Sequence, residues 1–114
     1  MNEEKRSSKR IATKVIVHCR KESDKQYMPD YFVSFTKDLS SEGARIVASR
    51  EIKPRDKFTA SLELPTLFLP VLTFSEAVWV KEPEVGIKFI KVEEADNEKL
   101  KSFLELKEAD VKTI

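Results

Sequence analysis

Lys57-Phe58-Thr59-Ala60-Ser61-Leu62-Glu63-Leu64 decides the fold class. Phe58, Ala60, Leu62 and Leu64 take one side, and Lys57, Thr59, Ser61 and Glu63 take the other. That period of two is a strand with one dry face and one wet face. The same period recurs upstream. Ile11, Thr13, Val15, Val17 and Cys19 share a face opposite Lys14, His18 and Arg20, which predicts a first strand from Ile11. Tyr31 to Thr36 is β-branched and aromatic and reads as a second strand, and Ala44 to Ala48 as a third. Downstream, Thr73 to Val80 reads as a fifth strand and Val85 to Val92 as a sixth. Turn chemistry lies between them in Lys21 to Pro29, Asp38 to Gly43, Pro54-Arg55-Asp56 and Glu82-Pro83-Glu84. Pro65 and Pro70 bracket Thr66-Leu67-Phe68-Leu69, whose large apolar residues are expected to lengthen strands and pack internally.

After Val92 the period changes. Leu100, Phe103, Leu104 and Lys107 follow helical spacing. Asp96 or Asn97 can cap the start, and Glu93, Glu94, Asp96 and Glu98 suit the positive end of a helix dipole. Short strands at hairpin spacing with one helix after them predict an all-β fold with one helix. The expected form is a small six-stranded antiparallel β-barrel closed by a C-terminal α-helix, because a sheet this short must hide its edges. An open sandwich with a packed helix fits the same pattern. The expected organisation is a flexible polar arm at 1–10, the barrel with its helix at 11–108, and a tail at 109–114.

At 114 residues the chain is one domain's worth. Its 40% hydrophobic and 36% charged content reads as soluble and globular. The longest apolar stretch, Leu67-Phe68-Leu69-Pro70-Val71-Leu72, is far short of a membrane span, so no membrane insertion is expected. The lone Cys19 excludes an internal disulfide framework, and a cytoplasmic location is expected. The net charge of +1 is uneven, with about +4 in residues 1–25 and about −3 in the rest. A basic arm on a mildly acidic body suits a compact anion. It fits poorly with a broad nucleic-acid footprint, so no nucleic-acid partner is expected.

Catalytic and metal chemistry find no support in the residue pattern. His18 and Cys19 are neighbours in a strand and point to opposite faces, and one His with one Cys does not make a zinc site. There is no second histidine for a dyad. Gly43 and Gly86 are the only glycines, so there is no glycine-rich phosphate loop. The expectation is a protein that is not an enzyme and holds no cofactor or metal.

Two motifs remain. Arg6-Ser7-Ser8-Lys9-Arg10 is an R-x-x-x-R pattern in the basic arm. Asp38-Leu39-Ser40-Ser41-Glu42-Gly43 is a D-x-S-x-x-G pattern between two apolar runs. A solvated basic tail and an ordinary hairpin turn would account for each alone. Together, in this order and spacing, they resemble the two ligand-binding motifs of PilZ domains, bacterial receptors for cyclic di-GMP. The resemblance runs from about Arg6 to Leu106. It extends to Val78-Trp79-Val80 followed by Gly86-Ile87-Lys88-Phe89, similar to a late V-V-W and G-x-x-F pattern in the family.

The resemblance implies a six-stranded barrel with a C-terminal helix, which agrees with the independent strand count. It implies Arg6 and Arg10 on phosphates or guanine O6/N7, where planar guanidinium forks fit. It implies Asp38 accepting from guanine N–H groups, Ser40 bonding phosphate or base, and Gly43 leaving room for the ligand. Lys5 stands where many members have arginine and bears on whether one ligand binds or two. In some members an aromatic of this strand lies against the nucleotide. Here that is Trp79, whose alternation with Thr73, Ser75 and Ala77, opposite Phe74, Val78 and Val80, tilts it outward. The implied function is a cyclic di-GMP receptor that changes its surface to regulate a protein effector in motility, exopolysaccharide or biofilm output. The alternative is a PilZ-like protein-interaction module that ignores the nucleotide.

Overall fold

The computed structural model describes residues 9–21, 30–65 and 70–112, the last four in backbone only. Along these residues run β1 (Ile16–Lys21), β2 (Asp30–Leu39), β3 (Gly43–Val47), β4 (Lys57–Glu63), β5 (Val71–Lys81), β6 (Glu84–Val92) and α1 (Glu94–Lys112). All neighbours pair antiparallel, and the sheet closes in the order β1-β2-β3-β6-β5-β4, with β4 returning to β1. Closure satisfies the strand edges that an open six-stranded sheet would leave bare. The barrel is therefore the correct choice over an open sandwich. Lys5, Arg6 and most of the 1–10 arm, the polar turn after Lys21, and Leu67-Phe68-Leu69 lie outside the described residues.

The dry face of β4 behaves as its alternation requires. Phe58, Ala60 and Leu62 are fully buried and meet Val17, Cys19, Leu39, Ile46, Val71 and Ile87 in one core. The first strand is shorter than its pattern. Ile11 makes only an isolated bridge to Leu39, through two N–H to carbonyl bonds of 2.9 Å. Between that bridge and Ile16, Thr36 N–H donates to the Val15 carbonyl at 2.9 Å and the buried Thr36 hydroxyl adds to this. It accepts from Val15 N–H at 2.9 Å and donates to the Thr13 carbonyl at 2.5 Å. The inward face of Ile11, Val15, Val17 and Cys19 is as expected.

β2 reaches further than its β-branched run. It continues to Leu39, so Asp38 lies within the strand and the turn is confined to the residues after it. The β2–β3 register shifts between Thr36 and Asp38. This bulge leaves Lys37 without a β3 partner and turns both Lys37 and Asp38 outward, while Leu39 returns to the core.

β5 reverses the expected parity. Its inward residues are Val71, Thr73, Ser75 and Ala77, and Val78 is exposed. Thr73 and Ser75 tolerate burial because their hydroxyls lie 2.8 Å apart and Thr73 Oγ1 donates to the Ala60 carbonyl at 2.9 Å. The β5–β6 register shifts between Phe74 and Ser75 and again between Ala77 and Trp79, and the latter shift flips the strand. Trp79 is thus on the outside, as expected, but that shift puts it there and not the alternation. Val80 turns in against the core.

α1 begins at Glu94, earlier than the expected cap at Asp96 or Asn97. The Glu93 carbonyl already accepts from Asn97 N–H at 2.8 Å, and Asp96 Oδ2 instead accepts from Leu72 N–H at 3.3 Å. That bond ties the helix to β5. Leu100, Phe103 and Leu104 are buried in the core, and the helix runs to Lys112, into the stretch expected as a tail.

Candidate functional site

Cross-strand register lines up four residues over four strands. Asp38 of β2 is opposite Arg45 of β3, Arg45 is opposite Gly86 of β6, and Gly86 is opposite Trp79 of β5. With about 4.8 Å between neighbouring strands, the row spans roughly 14 Å of the outer barrel face.

Asp38 anchors one end. Its side chain is largely covered, and both oxygens are occupied by guanidinium groups. Arg10 Nη1 donates to Oδ1 at 2.7 Å, and Arg45 Nη2 lies 3.1 Å from Oδ2. The first contact joins residues 28 apart in sequence. The Ile11–Leu39 bridge makes it possible, because it fixes the chain next to Arg10 against the chain next to Asp38. The Lys37 bulge makes it accessible by keeping Asp38 on the outside. A second carboxylate, Glu84, lies beside the row, with Arg45 Nη1 at 3.5 Å and Lys37 Nζ at 3.3 Å.

Ser40 and Gly43 form the turn that ends β2. The Ser40 hydroxyl accepts from the N–H groups of Glu42 and Gly43, both at 3.1 Å, and donates to the Gly43 carbonyl at 3.2 Å. Ser40 N–H also donates to that carbonyl, at 2.8 Å. The side chain is buried, so in this structure Ser40 locks the turn. Gly43 does not adopt positive φ, which removes the usual turn argument for glycine. It is required by close approach instead. A Cβ there would run into the Ile87 carbonyl and stand 3.3 Å from Lys88 Cα.

Trp79 closes the other end. Its indole packs against Gly86, where a Cβ would collide with Nε1, Cε2 and Cδ1. Trp79 as a residue remains 37% exposed. The structure therefore brings Arg10, Asp38 and Trp79 onto one surface, with the Ser40–Gly43 turn at the end of β2. Arg45, Gly86, Glu84 and Lys37 join them; Gly86 stands in the late G-x-x-F pattern, whereas Arg45, Glu84 and Lys37 belong to no motif. The alternation of β3 would place Arg45 on the wet face, but its partners follow from register, which the sequence does not carry.

Elsewhere on the surface a cleft of about 200 Å³ is lined in part by Ile52, Val80, Glu82 and Pro83. Ser49 and Arg50 also line it, but Arg50 is already paired with Asp30 and no residue of the R-x-x-x-R or D-x-S-x-x-G motif reaches it, so the row is the stronger candidate for an anionic ligand. Among the described residues no three His, Cys, Asp or Glu side chains are grouped to hold a metal. No helix among them is long and apolar enough to cross a membrane.

Comparison with known proteins agrees with this architecture. A search of curated proteins finds no match. Among solved structures, the chain is similar to the PilZ domain of CeSA from a cellulose synthesizing bacterium. The TM-score is 0.59 at 13% identity, over 85% of this chain and 92% of that one, a likeness of fold. The family model for the PilZ domain matches residues 4–106, which includes both motifs and all six strands. With the barrel, its C-terminal helix and that match in place, the chain belongs to the PilZ domain family.

Proposed function

We propose that this protein is a receptor for cyclic di-GMP, and that binding on the Asp38–Trp79 row changes its outer surface for recognition by a protein effector. The observation that carries the reading is the convergence of Arg10 and Asp38, from two motifs distant in sequence, onto one outward-facing ion pair. The chemistry is complementary. Cyclic di-GMP offers phosphate oxygens and guanine O6/N7 to Arg10, with Arg6 and Lys5 from the arm as further cations. It offers guanine N–H donors to Asp38 and two base faces for stacking on Trp79.

Each role has a local cause. Arg10 makes an exposed ion pair, and such pairs contribute only about 0–1 kcal/mol, so a ligand can displace it at little cost. Ser40 and Gly43 act by holding the end of β2 and the β3–β6 approach, which fixes Asp38 relative to Arg45. The Ser40 hydroxyl reaches phosphate or base only if the turn opens. Output through motility, exopolysaccharide or biofilm machinery is the part of this proposal that rests on family membership alone. A PilZ-like module that only binds proteins would not need Arg10 of the first motif paired with Asp38 of the second.

The test is a footprint. In amide NMR spectra, cyclic di-GMP should shift Arg10, Asp38, the Ser40–Gly43 turn and the Trp79 indole, and leave the Ile52–Val80 cleft unmoved. GTP and a short RNA should give no such pattern. Shifts confined to another surface, or none with cyclic di-GMP, would contradict the assignment.

A further inference from the structure

Arg45 belongs to neither motif, yet it occupies the middle of the row. On one side is the Asp38 carboxylate; on the other is Gly86, which has no side chain and is covered by the indole of Trp79. A ligand that touches both Asp38 and Trp79 must therefore lie across the Arg45 guanidinium.

The present bonds of Arg45 are those of a loosely held group. Its contacts go to two different carboxylates, Asp38 at 3.1 Å and Glu84 at 3.5 Å, without the two-pronged fork that makes arginine–carboxylate pairs strong. Its Nε is buried and has no partner among the described residues. An unpaired buried N–H is costly and marks a donor still to be satisfied. The side chain as a whole remains 39% exposed and can turn outward.

Charge favours such a turn. Asp38 serves both Arg10 and Arg45, and Glu84 serves both Arg45 and Lys37. When Asp38 accepts guanine N–H groups, its hold on both arginines weakens. We infer that Arg45 is a further ligand-binding cation of this site, beyond those of the arm. On binding, it exchanges the Asp38 carboxylate for a phosphate oxygen of the ligand. This inference rests on the cyclic di-GMP reading above and adds a phosphate contact that neither motif supplies.

The test is calorimetric titration of cyclic di-GMP into the wild-type protein, Arg45→Ala, Arg45→Lys and Arg10→Ala, with a thermal melt of each. Loss of one charge-assisted bond predicts that Arg45→Ala binds about tenfold to a hundredfold more weakly, with a melting temperature close to wild type. Lysine keeps the charge but not the fork, so Arg45→Lys should recover part of the loss. If Arg45→Ala binds within twofold of wild type while Arg10→Ala is weakened, Arg45 makes no ligand contact and only this inference fails. Equal losses in the Ala and Lys variants, together with lowered melts, would make Arg45 a structural residue and also overturn it. A wild-type protein that does not bind would overturn both readings.

Discussion

Arg10 Nη1 lies 2.7 Å from Asp38 Oδ1, so the last residue of one motif rests on the first residue of the other. Two sequence signals that are weak alone are thereby one physical site. The barrel makes them so by bridging Ile11 to Leu39 and by bulging at Lys37.

Arg10→Ala should lower cyclic di-GMP affinity by about 1.5–3 kcal/mol, a factor of roughly 10 to 150. Because the pair is exposed, stability should fall by less than about 1 kcal/mol. Titration and a denaturant melt on the same variant measure both. Arg6→Ala should weaken binding less. A folded Arg10→Ala protein with wild-type affinity would contradict the assignment.

The strands and their order of appearance were legible because apolar and polar residues alternate cleanly in β1 and β4. The helix was legible from Leu100, Phe103 and Leu104. The parity of β5 was not. Thr73 and Ser75 look like wet-face residues, and they are tolerated inside because Thr73 Oγ1 donates to the carbonyl of its β4 partner Ala60 and lies 2.8 Å from the Ser75 hydroxyl. The outward face of Trp79 follows from a bulge that no local residue announces. Arg10 and Asp38 were legible as motif residues, whereas Arg45 emerges only once β2, β3 and β6 are in register.

The two glycines should respond differently to alanine. Gly43→Ala puts a methyl group against the backbone of Ile87, which cannot swing aside, and should destabilise the barrel by about 1–3 kcal/mol. For Gly86→Ala the three nearest atoms all belong to the Trp79 side chain. The substitution should displace the indole, red-shift its fluorescence and weaken ligand binding at smaller cost in stability. Melts and emission spectra of the pair check this, and the opposite ranking in stability would count against the packing described.

Trp79→Ala should behave as a surface stacking variant. The expected binding loss is about 1–3 kcal/mol, the range for base–aromatic stacking. The stability loss should stay well under the roughly 3–5 kcal/mol of a core tryptophan, since Trp79 is partly exposed. Cyclic di-GMP should also change Trp79 fluorescence in the wild type. A variant that melts far below wild type but binds normally would place the ring in the wrong role.

Cys19 is buried in the core, and burial pushes its thiol from 9.0 up to about 12. The folded state therefore favours the neutral thiol. This contribution to stability is complete below about pH 9 and is lost as pH rises through about 12. Thiol reagents at pH 8 should label Cys19 only as fast as the barrel opens. Denaturant-independent, rapid labelling of the native protein would contradict a buried Cys19.

The central claim is tested most directly by titrating cyclic di-GMP into the wild-type protein in a calorimeter, with Asp38→Ala in parallel. The account predicts saturable binding to the wild type and a loss of at least tenfold in the variant, because Asp38 is the carboxylate shared by Arg10 and Arg45 and the proposed acceptor of the guanine N–H groups. No heat of binding in the wild type, or equal affinity in the two proteins, would contradict it.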